Sequence, residues 1–514
     1  MAHSDAHRPD ARQRARARAD RLTTRMVAAG GLGVMLLIGA IFVYLLSVAL
    51  PLFAPADISA GTRLADFPSQ APVLLDMEES GEIAYRLDAD GDLLFLDARD
   101  GTRLDRRRLE LGAPIRRVHR PDPEATLYAL ETRDGRVHFV EFTFPVSFAS
   151  GERRRLIRIE APFDDSVLDL GRWVALPVAD LAVHLEGSTL TLAVLDAQRR
   201  LRLLRQGEAD RGLPLLPPTI TAPRTVPADA ADEPAAAVRV LLASRQWLFL
   251  VREDGRVDAF DVRFADAPRH LASADTNAAD PARITLLLGG GSLLVPRSED
   301  PATDRIEQWF PVRREEEAGF ELRRVRSFRA AAGGRIVTEA RRRGFLVLGT
   351  DGRVSIHHTT AERTLLRRDL ETGEPRARAL SARGDLLLIE DVEGRLVRWR
   401  IDNEHPEASL SALFTPTWYE GYAEPTLAWQ SSSASTDAEP KFSLVPLAAG
   451  TLKAALYSIL LAIPVALFGA VYTAYFMAPA LRAWIKPSIE LMAALPTVIL
   501  GFLAGLWLAP LVER

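Results

Sequence analysis

The side chains that could do chemistry are few in this chain, and the sequence does not draw them together. Nine histidines are scattered over 514 residues without a His-Glu-x-x-His run, so the two-histidine helix face of a zinc hydrolase is missing. His357 and His358 are adjacent, and on a strand such neighbours point to opposite faces, which speaks against a shared metal. Gly289-Gly290-Gly291 resembles a phosphate-cradling loop only superficially, since no lysine and no helical pattern follow it. Lysine occurs only at Lys441, Lys453 and Lys486, none of them after a glycine, so the chain carries no P-loop of its own. With no cysteine there is no thiol nucleophile, disulfide framework or Cys-ligated zinc or iron–sulfur centre. Many Asp and Glu residues sit in turns, where they serve turn geometry. No nucleophile–base pair or metal set emerges, which disfavours an extracytoplasmic enzyme.

The elements around these residues carry more information. A net charge of −4 argues against nucleic-acid binding, which needs a basic surplus. Nearly all the positive charge is arginine, which beside the abundant Ala and Leu reads as the coding bias of a GC-rich genome. Length alone suggests three or so domains, or fewer if one is a large all-β unit.

Met26 to Phe53 is uncharged and long enough to span a bilayer, which takes about 20 apolar residues. Residues 1–25 precede it with Arg8, Arg12, Arg14, Arg16, Arg18, Arg21 and Arg25, so the positive-inside rule keeps them cytoplasmic. A cleaved signal peptide is the competing reading, but its apolar core runs to only about 7–15 residues. Residues 54 onward then lie outside the cytoplasm, in the periplasm of a two-membrane bacterium. Further apolar stretches from about Leu444 to Met477 and from about Ile485 to Leu511 flank a short basic link with Arg482 and Lys486. The expected topology is three spans: N-terminus in, large domain out, short loop in. Pro464 and Pro496 fall inside the second and third spans, as kinks or as shapers of a pathway. Glu490 follows Lys486 by four residues, the spacing of an interfacial ion pair.

Residues 54–410 repeat a pattern of an apolar run, an Asp-Gly turn and alternating apolar and polar residues. The turns are Asp90-Gly91, Asp134-Gly135, Asp254-Gly255, Asp351-Gly352 and Glu393-Gly394, with degenerate copies near Arg199 and Asp304. Asp-Gly supplies the positive φ of a tight hairpin, and the period-2 flanks supply strands. Spacings of about 40–65 residues match propeller blades. The expected domain is all-β, a seven-bladed β-propeller, with six or eight blades, a pair of β-sandwiches or an irregular β-domain as alternatives. Long amphipathic helices are missing, which argues against a fused two-lobed solute receptor. Residues 411–443 change composition: Trp418, Tyr419, Tyr422 and Trp429 suit a membrane surface or the base of a helix bundle, and Ser431 to Ser435 suit a flexible linker.

The stretch from Phe442 onward, with Gly450-Thr451-Leu452 and then Ile489, Glu490, Leu491, Ala493, Pro496, Thr497, Val498, Ile499 and Gly501, resembles the start of an ABC-importer permease core. The likeness is greatest to the phosphate-specific Pst permeases of PstC type, and it covers about 70 residues, 444–514 being the partial core. The Trp-Tyr-Glu-Gly-Tyr stretch before it is similar to the juncture in such permeases that carry a large periplasmic insertion. The resemblance implies a multi-pass inner-membrane subunit, itself not an enzyme, working by alternating access. Its partners would be an ATPase dimer holding ATP and Mg, a second permease subunit, a periplasmic phosphate-binding protein and the bilayer. It implies no cofactor in this chain. The candidate residues are Gly450 for close helix packing, Thr451 in the same motif, Pro464 and Pro496 as kinks, Thr497 as a pathway hydroxyl, Glu490 at the cytoplasmic end and Gly501. The family's coupling loop is not found before Arg514, so a truncated chain or a separately encoded remainder is expected. The alternative is a membrane-anchored periplasmic propeller that scaffolds or senses and transports nothing.

Overall fold

The Asp-Gly turns of the repeat all occupy one place in the fold. Asp90-Gly91 joins Ile83–Leu87 to Asp92–Asp97, Asp134-Gly135 joins Leu127–Thr132 to Arg136–Thr143, and Asp254-Gly255 joins Trp247–Arg252 to Arg256–Asp261. Asp351-Gly352 links Gly344–Leu348 to Arg353–His358, and Glu393-Gly394 links Leu386–Asp391 to Arg395–Asp402. The degenerate copies mark the same hairpin, between Thr189–Leu195 and Leu201–Gln206 and between Leu293–Asp300 and Thr303–Arg313. Each is the second-to-third-strand hairpin of an antiparallel sheet, and seven such sheets follow one another along the chain. The domain is a seven-bladed β-propeller. The computed structural model describes residues 11–67, 70–121, 126–148, 153–163, 167–186, 189–206, 219–221, 236–243, 246–264, 268–289, 291–300, 303–314, 319–431, 439–493 and 497–512. The chain divides into two compact units, Met1–Ser443 and Leu444–Arg514.

Strand alternation gives every blade two apolar faces, one for each neighbour. Leu192 and Val194 of the third blade pack against the second blade, while Ala193 and Leu195 pack against the fourth. Phe345 and Val347 face the fifth blade, and Leu346 and Leu348 face the seventh. The result is seven apolar clusters, one at each blade interface.

A second contact recurs at the same seven interfaces: an arginine from one blade donates to a backbone carbonyl of the next. Going round the ring, the pairs are Arg107 with Ile157 O (3.2 Å), Arg116 with Val178 O (2.6 Å), Arg205 with Val262 O (2.6 Å), Arg239 with Ala282 O, Arg283 with Gly334 O, Arg368 with Ile58 O (3.1 Å) and Arg398 with Ala98 O (3.0 Å). The guanidinium fork has five donors and a long stem, so it can cross the gap and still hold a carboxylate. The arginine bias therefore has a structural use, whatever its origin.

The ring closes in the seventh blade. Its first three strands, Pro375–Leu380, Leu386–Asp391 and Arg395–Asp402, come from the far end of the ring, and its outer strand, Thr62–Asp66, comes from the near end. Asp57–Ile58 extends the pairing to Asp402 and Ile401. Glu390, fully buried, locks this blade to the first, accepting from Arg86 Nε (2.9 Å) and Arg376 Nε (2.8 Å). The chain therefore joins and leaves the ring on one face, here the strap face, opposite the turn face that carries the Asp-Gly hairpins.

Two helices are long and apolar enough to cross a membrane, Leu22–Phe53 and Val445–Phe476. They correspond to the first and second expected spans, and Pro464 stays within the helix Val445–Val471. The expected third span is corrected. In its place stands Pro479–Ala493, whose Arg482, Lys486 and Glu490 recur every four residues and make a polar stripe, followed by an apolar helix of only Leu500–Leu511. That apolar stretch belongs to the helical run that begins at Thr497 and ends at Val512, and among the described residues it is shorter than the two long apolar helices. Among the described residues the fold is thus a seven-bladed propeller with two long apolar helices, not three.

The turn glycines give a stability test. Gly394 has φ +85°, its carbonyl accepts from Phe67 N (2.8 Å), and an added Cβ would lie 2.0 Å from Phe67 O. Gly112 has φ +77° with nothing within 4 Å. Gly112→Ala is expected to cost about 1–2 kcal/mol from φ alone, and Gly394→Ala on the order of 3 kcal/mol, since the closing strand must also shift. Thermal unfolding of the two variants side by side checks the difference.

Candidate functional site

After the last strand the chain does not leave the ring as a free linker. Residues 403–431 and 439–443 form a strap across the strap face of the fifth and sixth blades. Three arginines hold its backbone as the blades hold one another: Arg342 donates to Asn403 O (2.6 Å), Arg363 to Ala408 O (3.0 Å) and Arg326 to Trp418 O. Ser409 caps the helix Leu410–Phe414 by accepting from Ala412 N (3.0 Å). Thr417 bridges to Thr426, and Trp429–Gln430 pairs with Lys441–Phe442. Trp418 meets Phe310 edge-on and lies under the Arg323 guanidinium, and Tyr419 is buried. Two of the four aromatic residues expected at a membrane surface thus pack on the propeller. Of the Ser431 to Ser435 run, residues 432–435 lie outside the described residues.

Beneath the strap lies a buried polar chain that no local pattern announces. Arg326 Nη1 donates to Gln308 Oε1 (3.0 Å), Gln308 Nε2 to Ser292 Oγ (2.9 Å), and Ser292 Oγ to Glu420 Oε1. The other oxygen of Glu420 is paired with Arg343 at 2.7 Å. Glu420 N donates to Glu439 Oε2 (3.0 Å), whose second oxygen accepts from Thr360 Oγ1. The Gly289-Gly290-Gly291 loop makes room for this pair: a Cβ on Gly289 would overlap the Arg343 guanidinium, and one on Gly291 would touch the Glu420 carboxylate. Gly290 itself lies outside the described residues. The loop thus shelters a carboxylate of its own chain.

Burial sets the electrostatics here. It pushes the Glu420 carboxyl up, with Arg343 pulling it back down, and it draws Arg326 below the ordinary arginine value. His358, also buried beside these arginines, falls to about 3 and is neutral at physiological pH; His357, stacked on Phe345, does the same. Close by, Glu339 is buried, with its Oε2 unpartnered, and desolvation raises it to about 7 despite Arg342. The site holds charges and fixes the strap. Among the described residues no group of three or more His, Asp or Glu could hold a metal ion.

The residues singled out from the sequence lie elsewhere, in the unit Leu444–Arg514. Gly450 and Gly501 are exposed helical positions with nothing within 4 Å. Thr451 Oγ1 donates to Leu447 O (2.9 Å), within its own helix. Glu490 is exposed, and no Lys486–Glu490 ion pair forms; Arg482 instead donates to Ala474 O (2.8 Å) and Met477 O (3.2 Å), capping the preceding helix. Thr497 begins the short helix Thr497–Leu503, and Pro496 lies outside the described residues.

No protein-family model and no curated protein matches this chain. Among the solved structures similar to it are the following three. The Cps50 (Swd1) β-propeller domain of Myceliophteria thermophila has 13% identity over 66% of this chain and 99% of that one, with a TM-score of 0.45. A chain of the Mitotic Checkpoint Complex has 12% identity over 68% and 92%, with a TM-score of 0.39. BamB from Moraxella catarrhalis has 13% identity over 64% and 84%, with a TM-score of 0.33. These likenesses are distant and concern the fold.

Two outcomes test the site. Glu420→Ala leaves Arg343 buried without its carboxylate and is expected to cost about 3–5 kcal/mol. Most of that loss should return in Arg343→Met/Glu420→Leu, and limited proteolysis should cut the strap in the single variant first. For Glu339, the folded chain keeps its proton up to about pH 7 while the unfolded chain releases it near 4.5. Its contribution is therefore full below pH 4.5 and lost as pH rises through 7, by roughly 3 kcal/mol in all. Glu339→Gln should remove that dependence: the melting temperature of wild type relative to the variant falls between pH 5 and pH 8. A constant difference would contradict it.

Proposed function

We propose that this chain is a membrane-anchored β-propeller scaffold or sensor, with the ring held outside the cytoplasm and the strap joining it mechanically to the C-terminal helices. The observation that carries this reading is the shared face. The segment from the first apolar helix reaches the ring at Asp57, opposite Asp402, and the strap crosses the same face before the second apolar helix begins at Val445. The other face is left clear for a partner. The buried Arg343–Glu420 pair and the arginine–carbonyl contacts make the strap a stiff link. The basic residues before Met26 orient the ring outward. No step of this function needs a cofactor or catalytic group in the chain.

A second reading keeps one support. The run from Ile489 to Gly501 and the basic helix Pro479–Ala493 resemble a phosphate-importer permease core, with the ring as its periplasmic insertion. On that reading the partners are an ATPase dimer holding ATP and Mg, a second permease subunit and a phosphate-binding protein. It predicts copurification with the ATPase and loss of phosphate uptake on deletion.

For the scaffold reading, alkaline carbonate should leave the chain in the membrane pellet. Protease added to spheroplasts should digest the ring and spare an N-terminal tag. Deletion should leave phosphate uptake unchanged. Release by carbonate, or a ring shielded from outside protease, would overturn it.

A further inference from the structure

We propose that the strap face of the propeller is a lipid-docking surface, with Phe148, Phe264 and the pair Leu410/Phe414 seated in the headgroup layer of the membrane crossed by the first helix. The proposal rests on the membrane-anchor reading above and adds which surface meets the lipid and through which side chains.

Chain length supplies the first argument. Residues 26–53 follow Arg25 without a charge, and as helix they reach about 42 Å at 1.5 Å per residue. A bilayer with its headgroups is about 40–45 Å thick. With Arg25 at the cytoplasmic headgroups, Phe53 stands at the outer ones. Asp57, already paired with Asp402 in the ring, follows after Ala54, Pro55 and Ala56, a reach of at most about 14 Å. The strap face of the seventh blade is thus tethered within about 14 Å of the lipid surface.

The second argument is what that face exposes. Phe148 (69% exposed) follows the third strand of the second blade, and Phe264 (71%) follows the third strand of the fourth. Leu410 (67%) and Phe414 (55%), one turn apart on the strap helix, are held over the sixth blade by the Arg363 contact to Ala408 O. These three points are spread around the ring, so together they define a plane. The exposed Tyr422 and Trp429 belong to the strap on the same side. Among the described residues, every largely exposed aromatic side chain of ring and strap lies on this face, whereas the turn face presents Asp-Gly tips beside the exposed aliphatic residues Leu176 and Val392. Single exposed apolar residues need no explanation, but a set gathered on the face the chain itself ties to a bilayer has a matching occupant. Aromatic side chains favour the headgroup layer, where an apolar ring meets a wet boundary.

The absence of cysteine makes the test direct. Phe148→Cys, Phe264→Cys, Phe414→Cys and, on the turn face, Asp254→Cys are made one at a time in the full chain, each at an exposed position. Each is labelled with a nitroxide and reconstituted into phosphatidylethanolamine/phosphatidylglycerol vesicles. Paramagnetic accessibility then compares oxygen, which concentrates in lipid, with a water-soluble nickel chelate. The expected result is oxygen in excess at 148, 264 and 414 and nickel in excess at 254. A chain that floats with the vesicles while all four sites favour nickel overturns the docking and leaves the anchor standing. A chain that does not float overturns both.

Discussion

The pairing of Thr62–Asp66 with Arg395–Asp402 is the constraint on which the rest depends. A ring of blades has no edge once its last sheet is completed by its first strand, and until then both neighbouring blades lack a wall. Here that completion also decides where the chain begins and ends its circuit. Because the closing strand lies outermost in the seventh blade, the segments before and after the ring are forced onto one face. The buried carboxylate of Glu390, shared by Arg86 of the first blade and Arg376 of the seventh, adds a charged clasp at the same seam. Such a clasp contributes little net stability over an apolar pair, but it penalises any misregistered closure by leaving ions buried and unpaired.

One local device is used at two scales. Between blades, an arginine reaches a backbone carbonyl of the neighbouring blade at the part-buried or exposed margin where the sheets diverge. Between ring and strap the same contact recurs, from Arg326, Arg342 and Arg363. The strap lies against the ring much as an extra half-blade would. What separates it from a blade is the buried polar chain from Arg326 to Arg343, which replaces an apolar cluster with charges that must all be present together.

Local signals were legible in the sequence and distant ones were not. The Asp-Gly turns announce the blades because a positive φ and its period-2 flanks are written within ten residues, and even the degenerate copies at Arg199 and Asp304 fall in the expected hairpin. The strap network is silent because Ser292, Gln308, Arg343 and Glu420 come from four separate segments, and nothing near any one of them marks it as buried. Glu339 reads as an ordinary turn acid for the same reason. The glycine triplet was visible, but its partner, a carboxylate more than a hundred residues away, was not. The third span was over-read because apolar residues were counted in a run, whereas the spacing of Arg482, Lys486 and Glu490 gives that helix a wet side.

The seventh blade also imposes an order of events on synthesis. Thr62–Asp66 is made at the start of the ring, just behind the first helix, yet its partner strand lies over 300 residues downstream. Throughout that interval the early strand has a free edge and the growing stack of blades is open at both ends. Pairing across so long a loop is slow, because the entropy of closure is lost before any contact repays it. A nascent chain of this design therefore passes through a long-lived, edge-bearing intermediate of the kind that invites intermolecular strand exchange. On the membrane-anchored reading proposed above, the N-terminal helix holds the waiting strand at a fixed point, which shortens the search and keeps neighbouring copies apart.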